Sequence, residues 1–469
     1  MHTTRDDVGS PPGGGDPGET RRGFDRHARY INPKWTEALD LLGYGRLFVR
    51  AQGTRMWDAE GRVYVDFLAG CGAVPLGYNH AEIVRAAEAS LRANLPSFVQ
   101  LAPQREAGLL AEALAARLHP DLSRAQLVNS GSEAVEGALK LAYAATRRPG
   151  VLHCDRSYHG VTLGALSVMG SSRMREPFPS LPGTEAVPFG DLDAAERNLR
   201  TERFAAFIVE PIQFEGGVRL ADPSYFVGLR ALCTKHGTAL VFDEAQTGLG
   251  RTGTLFAYEG MGVAPDVLCY AKALSGGLVP IGGYSTSPAW QRRAYGRMQD
   301  CELVANTYGG GALACSVARR TLELIDATLL AHVGEMAARL GQRLADLERR
   351  HATLGQARGK GLMWAVEFAP PTEGVATVLT LGIPNRIARE LFAYWIAQRM
   401  LERGFLTQVP AHDPNVLRIE PPLVVSGEEI DAFSDALGAS LEENEDFVRF
   451  VRGAGGRLIE RRLSRDEGR

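Results

Sequence analysis

The hydrophobic period of this chain changes with position, and each period predicts a different element. From 46 to 70, RLFVRAQGTRMWDAEGRVYVDFLAG alternates apolar and polar residues around the turn signal Asp58-Ala-Glu-Gly61. A repeat of two is that of a half-buried strand, so a hairpin or short meander is expected. From about 81 to 330, apolar residues recur at helical spacing in AEIVRAAEASLRANL and QREAGLLAEALAARL. Between such stretches, FAAFIVEPI, TALVFDEA and PDVLCYAKAL are short continuous apolar runs, and RAQLVNSGSEAVEGALKLAYAAT reads as strand, tight turn and helix. Runs of this kind predict strands buried on both faces. Strands interleaved with helices imply an α/β fold around a mostly parallel sheet. After about 335, the amphipathic EMAARLGQRLADLERRH, the segment GKGLMWAVEFA, a helix near 385–403 and strands around FLTQV and VLRIEPPLV predict a separate, smaller α+β lobe.

The ends carry no such pattern. MHTTRDDVGSPPGGGDPGETRR is rich in Gly, Pro and charge, and reads as a disordered tail. GGRLIERRLSRDEGR at the other end is polar. At 469 residues the chain exceeds what one hydrophobic core organises, so two or three substructures are expected.

Composition narrows the function classes. A net charge of -3 with mixed signs gives no reason to expect nucleic acid or an anionic membrane as partner. No apolar run is long enough to span a bilayer, and the amino terminus lacks the apolar core of a secretion signal, so a cytoplasmic protein is expected. The six cysteines (71, 154, 233, 269, 301, 315) are scattered, with no zinc-like spacing. They read as reduced, mostly packed thiols, and no metal is expected. Lysine is scarce: the five are Lys34, Lys140, Lys235, Lys272 and Lys360. Lys272 lies inside LCYAKALSGG, a run of small and apolar residues. Either its stem lies along apolar surface with the ammonium in water, or burial exposes a free amine for Schiff-base chemistry.

Four further segments bear on that choice. In Asn129-Ser-Gly-Ser-Glu, Ser130 and Glu133 match a capping box, predicting a helix start that either holds a phosphate on its free N–H groups or is merely well capped. In Ser157-Tyr-His-Gly160, Tyr158 can lay its ring on a planar ligand or simply pack. TALVFDEAQ ends an apolar strand in carboxylates, where α/β sheets bind ligands; Asp243 pairs there with a cationic nitrogen or serves as a structural acid. In VLRIEPP, Arg418 is flanked by apolar residues and holds either a carboxylate or a structural partner. GLGRTG (248–253) matches G-x-G-x-x-G, but the glycine-broken TLFAYEGMGVAPD that follows leaves no room for the long helix a dinucleotide site needs. A nicotinamide-dependent oxidoreductase is therefore set aside. A phosphate-holding helix end, an aromatic face, an acid for a ring nitrogen and a Schiff-base lysine are together the parts that pyridoxal phosphate requires.

In this order the motifs SGSEAVEGALKLA, SYHG, EPIQ-x-EGG, DEAQTGLGRTG, AKALSGG-x-x-PIG, TYGG, RGKGL and LRIEPPL resemble the class III aminotransferases, pyridoxal-phosphate enzymes of fold type I, over roughly 30 to 440. The resemblance implies a large cofactor-binding domain at 81–335 and a small domain made of 26–80 and 336–450. Residues 1–25 would be a disordered tail and 451–469 a polar one. It implies that Gly131 and Ser132 hold the phosphate, Tyr158 stacks on the ring with His159 beside it, Asp243 faces the pyridine nitrogen, Gln246 faces the ring hydroxyl, and Lys272 forms the Schiff base. It implies a homodimer in which Thr307 reaches the phosphate of the neighbouring subunit. In ornithine-type members an arginine matching Arg418 binds a substrate carboxylate, and a glutamate matching Glu215 pairs with it when an amine end enters.

SRMREPFPSLPG and LRIEPPL look most similar to putrescine (diamine) aminotransferases. The implied reaction is ping-pong transfer of a terminal amino group from a diamine or ω-amino acid to 2-oxoglutarate or pyruvate. An aminomutase, epimerase or decarboxylase on the same fold is the alternative. Four departures from the family pattern are present, and the first two, Phe214 and Cys71, bear on the substrate. Phe214 replaces a small residue beside Glu215, Cys71 takes a pocket-lining position commonly aromatic or aliphatic, Gly311-Ala312 replaces Asn-Pro, and Ala245 replaces valine on the second face of the ring.

Overall fold

The computed structural model describes residues 17–98, 101–170, 172–369 and 385–443. Among them, seven strands form the central sheet, in the order Arg124–Val128, Gly282–Thr286, Val267–Tyr270, Ala239–Asp243, Phe204–Val209, Gly150–Cys154 and Thr184–Val187. Gly282–Thr286 pairs antiparallel with both neighbours, and the other pairs are parallel.

The continuous apolar runs have a simple cause. Phe204–Val209, Ala239–Asp243 and Val267–Tyr270 are buried at every position, because both faces of the sheet are covered. Successive side chains point to opposite faces. Thus Phe207, Val209, Phe242 and Leu268 pack on one side with Phe226 and Leu229 of the Pro223–His236 helix. Ala206, Ile208, Val241 and Cys269 pack on the other with Val135 and Ala138 of the Gly131–Thr146 helix. Each fully buried large side chain here contributes about 1.5–3 kcal/mol relative to exposure.

A second core joins the two ends of the chain. Leu354–Lys360, Met363–Phe368 and Val416–Ile419 form an antiparallel sheet. Helices Ala327–Arg350, Asn385–Glu402 and Gly427–Glu442 accompany it. The expected meander is present as Phe48–Gln52, Arg55–Asp58 and Val63–Asp66, and its last strand pairs in parallel with Phe405–Leu406. Phe67, just after that strand, stacks on Phe433 at 4.0 Å and meets Phe405 edge-on at 5.7 Å. The amino-terminal segment is therefore built into the carboxyl-terminal core.

One expected boundary differs from what is observed, and another runs through a helix. Residues 17–25, read as part of a disordered tail, belong to the helix Pro17–Tyr30. Proline is pre-organised for a first helical position, and Glu19 in the first turn with His27 and Arg29 in the last complement the helix dipole. Residues 1–16 and 451–469 lie outside the described residues. The division at 335/336 falls inside the helix Ala327–Arg350, which starts where Asp326 accepts a hydrogen bond from the Leu329 N–H at 2.8 Å. Leu329 near its start packs against the large core as well as the small one, so a single helix spans both. Among the described residues no helix is long and apolar enough to cross a membrane.

Candidate active site

The carboxyl end of the central sheet supplies the acids of one cleft. The Ala239–Asp243 strand ends in two carboxylates with different fates. Glu244 turns inward and accepts hydrogen bonds from the Ala257 and Tyr258 N–H groups at 2.6 and 2.9 Å and from the Thr247 hydroxyl at 3.0 Å. Burial pushes its carboxyl up to about 7, against the pull of those donors. Glu244 is a structural acid. Asp243 lines the cleft instead, with one oxygen 2.8 Å from His159 Nδ1 and the other accepting the Ala245 N–H at 3.1 Å. His159 is buried, and its Nε2 has no partner among the described residues.

The helix Gly131–Thr146 starts at the opposite wall. Ser130 caps it by accepting the Glu133 N–H at 3.2 Å. The reciprocal bond of a capping box is displaced by one residue: Glu133 accepts from the N–H and side-chain amide of Asn129, at 2.7 and 2.9 Å, because the chain turns out of its strand there. The first-turn N–H groups of a helix have no intrahelical partner. Gly160, at φ +110°, lies against this helix start; a Cβ there would meet Ser132 Oγ at 2.1 Å. The SYHG loop can close on the helix only with glycine at that position.

Lys272 follows the Val267–Tyr270 strand in a left-handed conformation, φ +39°. Such a conformation costs a non-glycine residue roughly 1–3 kcal/mol and is typical of functional sites. The lysine is half-buried rather than enclosed: its neighbours Ala271, Ala273 and Leu274 are buried, while its amine lines the cleft and donates to Gln246 Oε1. Gln246 Nε2 donates to the Cys71 carbonyl at 3.0 Å and to Glu420 at 2.5 Å. Those two acceptors orient the amide so that its oxygen faces the lysine. Cys71 belongs to the run Ala69–Gly72, in which all four residues have positive φ. Gly72 is needed there because a Cβ would lie 2.7 Å from both Gln246 Nε2 and Glu420 Oε1.

Glu215 and Arg418 form an ion pair beside the same cleft, the arginine buried and the glutamate partly so, and Glu215 also accepts the Ala411 N–H at 2.8 Å. Burial opposes charge on both groups. Their mutual attraction overcomes it, holding Glu215 below the ordinary carboxylate range and Arg418 above its usual value. Because Glu215 is depressed, its contribution to stability is complete above the unfolded carboxylate value, ~4.3. It is lost as pH falls through the lower folded value. Glu215→Gln is expected to destabilise by about 3 kcal/mol at pH 7, the low end for breaking a buried pair because the amide can still accept. The gap between variant and wild type, read from urea midpoints at successive pH values, should narrow on acidification. A gap that stays constant down to pH ~3 would show that the pair contributes no charge term.

The cleft brings together Gly131, Ser132, Tyr158, His159, Phe214, Glu215, Asp243, Gln246 and Lys272. Arg418 and Cys71 adjoin it through Glu215 and Gln246. Thr307 is exposed and does not line it. Glu210 also lines the cleft and went unnoticed as a site residue in the motif EPIQ. It is buried and accepts the Tyr158 N–H at 2.9 Å. Burial first, and the charge of Asp243 next to it, raise its carboxyl well above the ordinary range. Its signal was available: it directly follows the apolar strand Phe204–Val209, as Asp243 ends its own. Glu420 directly follows the buried strand Val416–Ile419 in the same way, whereas Gln408 had no such local signal.

The family described as aminotransferase class-III matches residues 43–441. The chain belongs to the class-III aminotransferases. It is 34% identical over 458 residues to the aminotransferase PigE of a Serratia species, covering 91% of this chain and 54% of that protein, so it spans about half the length of that relative. It is 36% identical to a putrescine aminotransferase of Pectobacterium atrosepticum, covering 85% of this chain and 84% of that one. Its fold is similar to that of the ornithine aminotransferase of Toxoplasma gondii, with a TM-score of 0.79 at 27% identity over 91% of this chain and 96% of the other.

Class-III aminotransferases depend on pyridoxal 5'-phosphate, and the residues of this aminotransferase fit that group. An uncommitted helix start, a buried carboxylate, a lysine amine and a buried ring nitrogen without a partner converge on one cleft. When bound, the cofactor supplies an electron sink for the charge left as a substrate C–H bond breaks.

Proposed function

We propose that this aminotransferase moves a terminal amino group from a diamine or ω-amino acid to a 2-oxo acid, 2-oxoglutarate or pyruvate, by ping-pong transamination. The observation that carries the reading is the Arg418–Glu215 pair. Closed on itself, the pair offers no net charge to an incoming amine end; opened, it frees a guanidinium for the carboxylate of the oxo acid. The similarity to a putrescine aminotransferase supports the same substrate class. An aminomutase, epimerase or decarboxylase reading has no comparable support, since the relatives are aminotransferases.

In this reading the N–H groups of Gly131 and Ser132 hold the phosphate, and Tyr158 stacks on the ring. Asp243, oriented by His159 and the Ala245 N–H, holds negative charge across from the ring nitrogen. Gln246 serves the ring hydroxyl. The Lys272 amine would hold the aldehyde until the incoming amine displaces it, and once freed would take the proton from the substrate C–H as general base and deliver it as general acid. Phe214 and Cys71 shape the substrate end of the pocket. The enzyme works as a cytoplasmic homodimer with Thr307 reaching the neighbouring subunit. In support, Thr307 is exposed beside Tyr308 and Phe98, whose rings pack edge-on at 4.8 Å and are themselves largely exposed.

The test is a panel of putrescine, cadaverine, ornithine, 4-aminobutyrate and lysine with 2-oxoglutarate or pyruvate, scored by glutamate or alanine formed. Turnover of at least one terminal amine is expected. Turnover of α-amino acids alone would reject the reading.

A further inference from the structure

Arg418 is 1% exposed and more firmly held than a switch between two partners requires. One guanidinium nitrogen donates to Glu215. The other donates to the side-chain carbonyl of Gln408 and lies 3.2 Å from Cys71 Sγ. The guanidinium carbon is 4.9 Å from the centre of the Phe214 ring, within cation–π reach. Gln408 holds Arg418 a second time, because the Arg418 N–H donates to the Gln408 backbone carbonyl at 2.9 Å across an antiparallel bridge. Glu215 has its own anchor in the Ala411 N–H.

A guanidinium binds a carboxylate best through two parallel N–H bonds. Moving Glu215 aside releases only one terminal nitrogen, and Nε, which has no partner among the described residues, shares its edge of the guanidinium with the other terminal nitrogen. The other stays on Gln408, whose position is tied to the arginine backbone. We propose that Gln408 is a positioning residue that keeps Arg418 in its Glu215-paired position and thereby favours substrates with no carboxylate on the reacting carbon. The proposal rests on the terminal-amine reading and adds to it a reason for the preference. An amine end enters with the clamp closed. A substrate carrying a carboxylate on the reacting carbon must displace Glu215 and also break the bond to Gln408. Gln408 therefore sets the balance between the two half-reactions.

Two substitutions at this position predict opposite signs. Glutarate, a dicarboxylate with no amine to react, is titrated calorimetrically into the holoenzyme of the wild type, Gln408→Leu and Gln408→Glu. Leucine removes the acceptor and should raise glutarate affinity roughly tenfold, the scale of one hydrogen bond to a charged group. Glutamate adds a competing carboxylate and should lower affinity by about as much. In rapid mixing, the rate with L-glutamate relative to putrescine should move in the same two directions. Glutarate affinities within about twofold of wild type in both variants, or shifted the same way in both, overturn the clamp; a same-sign shift is what loss of packing produces. Gln408→Glu keeps the size and polarity of the native residue, so it remains informative if the leucine variant folds poorly. Glutarate binding needs no turnover. If putrescine proves inert while the two affinities move in opposite directions, the terminal-amine reading fails and the clamp stands.

Discussion

Replacement of Lys272 by alanine is expected to lower kcat by at least about 10⁴-fold, the upper end of what one proton-transferring group contributes. The expectation follows from what surrounds the amine. It lines the cleft that holds Asp243, and the carbonyl of Gln246 accepts its hydrogen bond while Cys71 and Glu420 occupy the other side of that amide. Among the residues lining this cleft, no other is a lysine. Borohydride treatment should then no longer fix the cofactor to the chain, whereas it should do so in the wild type. The left-handed φ of Lys272 adds a second signature. Alanine at φ +39° is no less strained than lysine, so the variant should unfold within about 1 kcal/mol of wild type. Turnover within tenfold of wild type would place the essential amine elsewhere.

Asp243→Asn should lower kcat by about 10²–10³-fold, or ≈ 2.7–4 kcal/mol, the loss seen when one preorganised electrostatic partner is removed from a buried site. Shape is preserved and the amide oxygen can still accept the Ala245 N–H, with the amide N–H turned to His159 Nδ1, so removal of the charge is the main change. Asp243 is 5% exposed, fixed by the Ala245 N–H on one oxygen and His159 on the other. A carboxylate held this way needs no reorganisation as positive charge on a ring nitrogen becomes important. Steady-state kcat with saturating amine, alongside a melting curve to confirm the fold, checks it. A loss below about fivefold would mean that the charge of Asp243 does not act on the reacting system.

Most of the architecture was legible in local patterns because each rests on a period or a strand-end rule. The apolar runs around Phe207, Val241 and Leu268 could only be strands covered on both faces, and residues at the ends of such strands, Asp243 among them, face the ligand cleft. The same rule applied to FAAFIVEPI would have found Glu210. Composition misled at the amino terminus, where glycine and proline around Pro17 concealed a helix that packs on the segments just after it. Gly23, for instance, approaches Leu47 so closely that a Cβ would meet it at 2.8 Å. The helix that runs through the division at 335 shows a related limit: amphipathic periodicity locates a helix but does not say which core each turn enters, and Ala327–Arg350 enters two.

By itself, then, the order of residues determined the α/β layering, the family and the chemical groups available, since these depend on local periodicity and on motifs a few residues long. Only the tertiary structure decided what those groups touch. Lys272 meets Gln246 from 26 residues away, and Gln246 meets Glu420 from 174. Gln408 acquires a function solely because an antiparallel bridge sets it beside Arg418. Contacts of that range are created when separate elements bury their apolar faces together, and no property of the short segments that carry them encodes the partner.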